Sequence, residues 1–364
     1  MEKTIIEKGN TFTVKGYGAS GGSKTESTLK EMDVEREQPN ADEVLIEVLY
    51  CGVCHSDIHQ VNNDWDNTRY PCVPGHEVIG KIVRLGNAVK NFKEGQIVGV
   101  GCMIDSCQSC KPCTNGEEQF CLGPHGPTMT YNGYFRDPDS DYNTFGGYAT
   151  HIVSKQEFLL TLPDSLDITA AAPILCAGVT TYSPLKHWGV KKGSNVAIVG
   201  IGGLGHMAVQ LAKAMGAKVT AITTKEEKRK AAKDLGADEV LISENKDEMD
   251  AHKLSFDFIL ITIPSTFDIN DYVPLLSIRG TAVTVGLLGV YESPLNNMPV
   301  AMFNRSVGGS VIGSIAETQE VLDLCAEHNI LPEVEMISIK DINDAFEKVL
   351  DEEVRFRYVI DMNA

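Results

Sequence analysis

Long apolar runs are missing from this sequence. No stretch of its 364 residues reaches about 18 uninterrupted apolar positions, so a membrane-spanning helix is not expected. Met1 to Asn10 alternates charge with short apolar runs and lacks the core of a signal peptide, so a cytoplasmic protein is expected. Basic residues are scarce as well: 32 Lys and Arg against 50 Asp and Glu leave a formal net charge of −18. With no basic stripe to neutralise phosphates, neither a nucleic acid nor an anionic membrane is an expected partner. The excess of acid reads as a solvated surface. Internal repeats and low-complexity tracts are absent too, leaving a globular composition of 43% hydrophobic and 23% charged residues.

What is present divides into three textures, and the length fits two domains of about 100–200 residues each. Up to about residue 160, short strand-like runs such as Val44 to Leu49 and Ile79 to Arg84 are broken by Gly, Pro and Asn, which predicts a compact β-rich domain. From about 164 to 305, strands alternate with helical runs. Val196–Val199 leads through glycines to a helix over His206–Met215, then to a strand Val219–Ile222 and a helix Lys225–Leu235. Phe258–Ile261 and Ala282–Val285 read as further strands of one parallel sheet built from βαβ units. The last stretch predicts helices over Thr318–Asn329 and Ile342–Leu350 and a strand Tyr358–Ile360, with either domain as its home.

Ten cysteines stand in a chain with no export signal, so metal ligands and free thiols are expected before disulfides. Four of them, Cys107, Cys110, Cys113 and Cys121, fall within 15 residues. Ligands on a turning loop surround a tetrahedral Zn²⁺ at little cost in chain entropy. Two rival readings exist. Disulfides are disfavoured by compartment. A ferredoxin-type cluster continues C-x3-C-P after its two C-x-x-C steps, whereas here the last gap is seven residues and Leu122 follows. Structural zinc is therefore expected, and a closed four-thiolate site leaves no position for a substrate.

The segment Val196 to Gly205 reads strand, then G-x-G-x-x-G, then helix. Gly200, Gly202, Gly203, Leu204 and Gly205 thereby form a turn whose backbone can approach a pyrophosphate at a helix N-terminus. A site for NAD wants an acid about 20 residues on, at the end of the second strand. This chain has Thr223, Thr224 and Lys225 there, with Lys228 and Arg229 close by. Two hydroxyls and a cation suit a 2′-phosphate, so NADP(H) is expected, although Glu226 and Glu227 interrupt the positive field.

A metal that does chemistry needs a vacancy, and candidate ligands lie scattered in Cys51–His59, in Pro74-Gly75-His76-Glu77 and at Cys176. Each alone is weak. Together with the four-cysteine loop and the glycine turn, Gly52–Asp57 and Pro74–Glu77 fall in an order that resembles the zinc-containing medium-chain dehydrogenase/reductase superfamily, and within it the cinnamyl alcohol dehydrogenase group. The similarity runs from about Val44 to Asp361.

That resemblance implies a β-rich GroES-like catalytic domain over 1–163 and 306–364, and a Rossmann cofactor domain, a doubly wound parallel sheet, over 164–305. It implies two zinc ions per chain: a structural one in the cysteine loop, and a catalytic one on Cys54, His76 and Cys176 with Glu77 in reserve. Two thiolates and a neutral imidazole leave Zn²⁺ neutral overall yet able to acidify an alcohol. Ser56 resembles the hydroxyl that passes the alcohol proton outward, His59 the end of that relay, and Asp57 the carboxylate that orients His76. In the resembled group a run of serines and a lysine hold the positions of Thr223, Thr224 and Lys228. Trp65 and Met129 fall where the pocket is lined, and lignin-forming relatives carry tryptophan at the Met129 position.

The expected activity is thus interconversion of primary alcohols and aldehydes, aromatic, cinnamyl-type and aliphatic, with NADP(H). Alternatives are a polyol or secondary-alcohol dehydrogenase on the same scaffold, or a non-catalytic NADPH-binding protein. A homodimer is expected, joined by cofactor-domain strands edge to edge. The apolar stretch from 280 to 288 is a candidate edge that could equally lie inside one sheet.

Overall fold

The computed structural model describes every residue except 24–26, 135, 138, 287–288 and 352–355. The chain separates into two compact units. One comprises Met1–Cys176, Ser314–Ala326 and Leu331–Ala364; the other comprises Ala177–Gly313 and Glu327–Ile330.

The first unit is β-rich. Strands Ile6–Lys8, Thr11–Gly18 and Lys30–Glu37 form a three-stranded antiparallel sheet. A seven-stranded sheet runs in the order Leu159–Thr161, Ile97–Val100, Val78–Leu85, Glu43–Gly52, Arg357–Asp361 and Val334–Ser338, with His151–Lys155 also paired to Glu43–Gly52. Glu43–Gly52 buries Val44, Leu45, Ile46 and Val48 completely, a near-continuous apolar run that fits a strand covered on both faces. The strand Arg357–Asp361 answers where the final stretch belongs. It lies antiparallel to Glu43–Gly52, with Val359 opposite Gly52, and joins the first unit.

The second unit holds six parallel strands: β1 (Asn195–Val199), β2 (Lys218–Thr223), β3 (Glu239–Ile242), β4 (Phe256–Ile261), β5 (Leu276–Thr284) and β6 (Ser306–Gly309). Their spatial order is β3-β2-β1-β4-β5-β6, a doubly wound sheet whose order reverses between β1 and β4. Val196, Ala197 and Ile198 in β1 and Ile259, Leu260 and Ile261 in β4 are fully buried. Burial of such a side chain contributes roughly 1.5–3 kcal/mol, so the central pair anchors the unit.

Between β1 and β2 runs α1 (Gly205–Ala214), and after β2 runs α2 (Lys228–Asp234), which begins three residues later than the sequence pattern suggests. Gly280 to Thr284 belongs to β5, flanked by β4 and β6, so this part of the candidate edge is interior; residues 287 and 288 lie outside the described residues. The edge strands of this sheet are β3 and β6. Among the described residues no single helix is long and apolar enough to cross a membrane.

Candidate active site

In the first unit, four side chains from three separate segments converge. One ligand atom each from Cys54, His76, Glu77 and Cys176 lies within 4.8 Å of every other, and all four residues are buried. Cys54 is the N-cap of the helix His55–Asn62, whose first turn bends back so that Asp57 can act twice. Asp57 Oδ2 accepts the Cys54 N–H at 2.9 Å, which caps the helix. Its Oδ1 accepts the Gly75 N–H at 3.0 Å and stands 3.0 Å from His76 Nδ1. Asp57 thus caps the helix with one oxygen and holds His76 with the other. Fixing Nδ1 in this way leaves Nε2 as the free donor atom of His76. The Tyr148 hydroxyl completes the carboxylate's surroundings at 3.4 Å from Oδ2.

Burial and charge around this cluster act in opposite directions. Coulombic attraction to Asp57 and hydrogen bonds to Asp57 and Cys54 carry the His76 imidazole well above its ordinary pKa, although burial alone would lower it. Hydrogen bonding from Cys176 lowers the Cys54 thiol well below its usual range, and Cys176 in turn is raised well above it. Burial raises Glu77 to about 7 against the pull of Arg357. A buried set of two thiols, an imidazole and a carboxylate crowded into one shell wants a compensating cation. Its N, S and O donors suit Zn²⁺ in a site that keeps one position open.

Glu77 has a seat of its own. Its Oε1 accepts from Arg357 Nη2, its Oε2 is buried with no hydrogen-bond partner among the described residues, and a Cβ added to Gly52 would lie 1.9 Å from that Oε2. Only glycine leaves room for the carboxylate there. Sequence reading missed Arg357, which stands 280 residues from Glu77 and belongs to no short motif. It missed Tyr131 as well, a buried phenol whose ring meets the His76 ring edge-on with centroids 5.6 Å apart.

The other residues of the expected site are less tightly drawn together. Ser56 is half-buried in the first turn of the helix. His59 does not meet it through a hydrogen bond among the described residues; its Nδ1 pairs with Asp64 at 2.7 Å and its ring lies 5.6 Å from Trp65. Met129 is half-buried on the two-residue strand Thr128–Met129, opposite the buried Met103.

The four-cysteine loop forms a second cluster, with the sulfurs of Cys107, Cys110, Cys113 and Cys121 all within 4.8 Å of one another. Zn–S bonds of about 2.3 Å in a tetrahedron require sulfurs about 3.8 Å apart. The Cys110–Cys113 and Cys107–Cys113 separations of 3.4 and 4.0 Å bracket that value. Main-chain N–H groups of Cys107, Cys110, Leu122 and Gly123 donate to sulfurs of the set at 3.2–3.5 Å. Such donors favour thiolate, and those of Ser109 and Cys110 pull the Cys107 thiol down to about 6. None of the ten cysteines forms a disulfide.

In the second unit, Gly200–Gly205 leaves β1 beside the point where the strand order reverses. Each of the three motif glycines has its own reason. Gly200 has φ +87°; a Cβ on Gly202 would meet nothing within 4 Å; a Cβ on Gly205 would lie 1.8 Å from the Gly200 carbonyl oxygen. The turn is therefore open on one side and closed against its own helix, a cradle that fits a pyrophosphate. Thr262, just past β4, ties the turn down by donating to the Gly200 and Val199 carbonyls at 2.9 and 3.0 Å. Leu204 and Gly203 are half-buried along the turn. At the end of β2, Thr223 is buried, Thr224 is exposed and Lys228 is half-buried at the start of α2. Arg229 grips both carboxylate oxygens of Glu226, at 2.8 and 3.0 Å, so that acid is neutralised locally.

Comparisons with known proteins agree with this geometry. Residues 40–164 match the model of the alcohol dehydrogenase GroES-like domain, and residues 203–327 match that of the zinc-binding dehydrogenase. The aldehyde reductase YahK of Escherichia coli is 47% identical over 94% of this chain and 97% of its own length. NADP-dependent alcohol dehydrogenase C of Mycobacterium tuberculosis is 43% identical over 97% and 99%. Among solved structures, a cinnamyl alcohol dehydrogenase of Sorghum bicolor superposes with a TM-score of 0.89 at 37% identity, covering 96% of this chain and 97% of its own. The CAD of Helicobacter pylori, complexed with NADP(H), gives 0.87 at 38% identity, with 99% of both chains covered. The chain belongs to the zinc-containing alcohol dehydrogenase family, with a GroES-like domain followed by a Rossmann-type dehydrogenase domain.

Proposed function

We propose that the protein is a zinc-dependent, NADP(H)-dependent alcohol dehydrogenase and aldehyde reductase, acting on primary aromatic, cinnamyl-type and aliphatic substrates. The observation that carries this reading is the convergence of Cys54, His76, Glu77 and Cys176 donor atoms within 4.8 Å in a buried site. Zinc held by Cys54, His76 and Cys176 supplies a Lewis acid for the substrate oxygen, and NADP(H) supplies or accepts the hydride.

The chain's own residues do the rest. Asp57 sets the imidazole of His76 and the entry of the helix that carries Cys54. Ser56 takes the alcohol proton, and His59, oriented by Asp64, hands it towards solvent. Gly200, Gly202, Gly203, Leu204 and Gly205 cradle the pyrophosphate, while Thr223, Thr224 and Lys228 receive the 2′-phosphate. The pairing of Glu226 with Arg229 supports that choice over NAD(H), because it offsets one of the two acids that follow β2. Cys107, Cys110, Cys113 and Cys121 hold a structural zinc. Trp65 and Met129 line the pocket, and a flexible thioether in place of tryptophan favours a broad substrate range over strict cinnamyl preference. Reduction is the working direction, since NADPH is kept reduced in cells.

The catalytic domain corresponds to the unit Met1–Cys176 with Ser314–Ala326 and Leu331–Ala364, and the cofactor domain to Ala177–Gly313 with Glu327–Ile330. The expected boundaries at 163 and 306 shift because Cys176 folds with the catalytic part and β6 pairs with β5. A cytoplasmic homodimer completes the reading, supported by the edge strand β6, where Ser306 and Gly309 are exposed.

Zinc content and a substrate panel test the proposal. About two zinc ions per chain and a kcat/KM at least tenfold higher with NADPH than with NADH are expected for benzaldehyde. One zinc with no aldehyde reduction points instead to the non-catalytic alternative. Turnover of polyols or ketones in preference to aldehydes points to the other dehydrogenase.

A further inference from the structure

Two stretches distant in sequence flank the metal-ligand cluster of the first unit. One runs from the helix His55–Asn62 through Trp65 to Arg69. The other carries Met129, Tyr131 and Asn132. A single guanidinium joins them. Arg69 Nε donates to the Ser140 carbonyl at 2.7 Å, Nη1 to the Asn132 carbonyl at 2.9 Å, and Nη2 to those of Tyr134 and Asp137 at 3.2 and 2.5 Å. Four carbonyls on one fork is a demand that only arginine meets: lysine offers a point charge, not a planar array.

Main-chain and amide contacts extend the join. The Arg69 N–H donates to Asn132 Oδ1 at 2.8 Å, and Asn132 Nδ2 donates to the Asn67 carbonyl at 3.2 Å. Asn67 and Thr68 are held in turn by Gln60 of the helix, at 2.9 and 2.6 Å. On the other side, Thr144 Oγ1 accepts from the Gly133 N–H and donates to the Met129 carbonyl, both at 2.8 Å. Asn132 directly follows Tyr131, whose ring stands against His76.

We propose that Arg69 is the positioning residue of the substrate pocket. By clasping the main chain at Asn132, Tyr134, Asp137 and Ser140 it fixes how far Tyr131 and Met129 stand from the metal-ligand cluster. That distance sets the preference for bulky aromatic over small aliphatic aldehydes. The inference rests on the aldehyde-reductase reading above. Arg69 touches neither substrate nor cofactor in this scheme; it acts through Asn132 and Tyr131.

The test compares wild type with Arg69→Lys and Arg69→Met, using cinnamaldehyde and propanal with NADPH. The ratio of kcat/KM for cinnamaldehyde to that for propanal is expected to fall at least tenfold in both variants. The fall should lie in the KM for cinnamaldehyde, with the kcat for propanal within twofold of wild type and with zinc content and NADPH affinity unchanged. A ratio within twofold of wild type in folded, zinc-replete Arg69→Lys overturns the proposal, as does an equal loss of kcat on both aldehydes. If Arg69→Met does not fold, Arg69→Lys, which keeps the cation and the stem, still decides. Wild-type protein that reduces neither aldehyde overturns the functional reading alone. Hydrogen exchange then judges the clasp: the amides of Asn132 and Gly133 must exchange at least tenfold faster in Arg69→Lys, and unchanged rates sink it.

Discussion

Glu77 and Arg357 form an ion pair buried on both sides, the carboxylate wholly inaccessible and the guanidinium 5% exposed. Removing one partner leaves the other charge uncompensated, a loss of roughly 3–5 kcal/mol. Arg357→Met is therefore expected to lower the unfolding free energy by about that amount, and the double variant with Glu77→Gln to regain much of it. Denaturant unfolding of both variants checks this; additive losses would mean that the two groups do not depend on one another.

Asp57 serves two masters, and its conversion to Asn should expose both. An amide keeps the shape but can accept only through its oxygen, so either the Cys54 N–H or His76 loses an anionic acceptor. Disturbing a residue that orients a ligand typically costs about 10–100-fold in metal affinity. Asp57→Asn should therefore surrender one zinc per chain to a chelator at a concentration that leaves wild type loaded. Equal retention would detach Asp57 from the metal site.

The cysteine loop and the reacting centre should separate cleanly. Cys110→Ser is expected to reduce zinc from two ions per chain to one and to lower the thermal midpoint, because binding free energy at a structural site is folding free energy. Cys54→Ala should also lose one zinc and abolish turnover while leaving the cysteine loop loaded. Turnover that survives Cys54→Ala would contradict the assignment.

At the end of β2, Thr224→Glu supplies the acid that an NAD site wants and opposes a 2′-phosphate. The ratio of kcat/KM for NADPH to that for NADH should fall by more than tenfold. Lys228→Ala should lower the NADPH value alone, by about tenfold for loss of one charge-assisted contact. Steady-state kinetics with both cofactors decides, and equal losses for the two would place Lys228 elsewhere.

His151 gives the fold a pH dependence. Burial brings its imidazole from an ordinary 6.5 down to about 4, partly opposed by Glu47. As pH falls, the unfolded chain takes up this proton first. The stability present above about pH 6.5 is thus lost progressively towards pH 4, by about 3 kcal/mol in full. In urea unfolding from pH 7 to pH 4.5, His151→Gln should flatten the decline relative to wild type.

Sequence reading reached what the chain encodes at short range. The cysteines of the loop span 15 residues and the glycine turn six, so spacing alone carries their geometry. Asp57 was legible because its partners Cys54 and Gly75-His76 sit in recognisable fragments. Arg357 was not, because its meaning depends on β-sheet pairing: Val53 donates to the Tyr358 carbonyl, and this register carries the neighbouring Arg357 to Glu77. Arg69 escaped for a related reason. Its four acceptors are main-chain carbonyls, which leave no trace in residue identity. The interior place of Gly280–Thr284 likewise followed only from the order of strands.

The register of the strand Arg357–Asp361 has a temporal side. Glu77 leaves the ribosome 280 residues before its counterion does. At about 5–20 residues per second that gap lasts roughly a quarter of a minute to a minute. Throughout it, the nascent chain holds a carboxylate destined for complete burial with nothing to neutralise it, and a central strand of its sheet is still unmade. Cys54 and His76 precede Glu77 and Cys176 follows within that interval, so all three exist before the seat that keeps Glu77 in place. On the proposed reading, a chain released before Arg357 would carry Cys54, His76 and Cys176 and still lack the partner that seats Glu77.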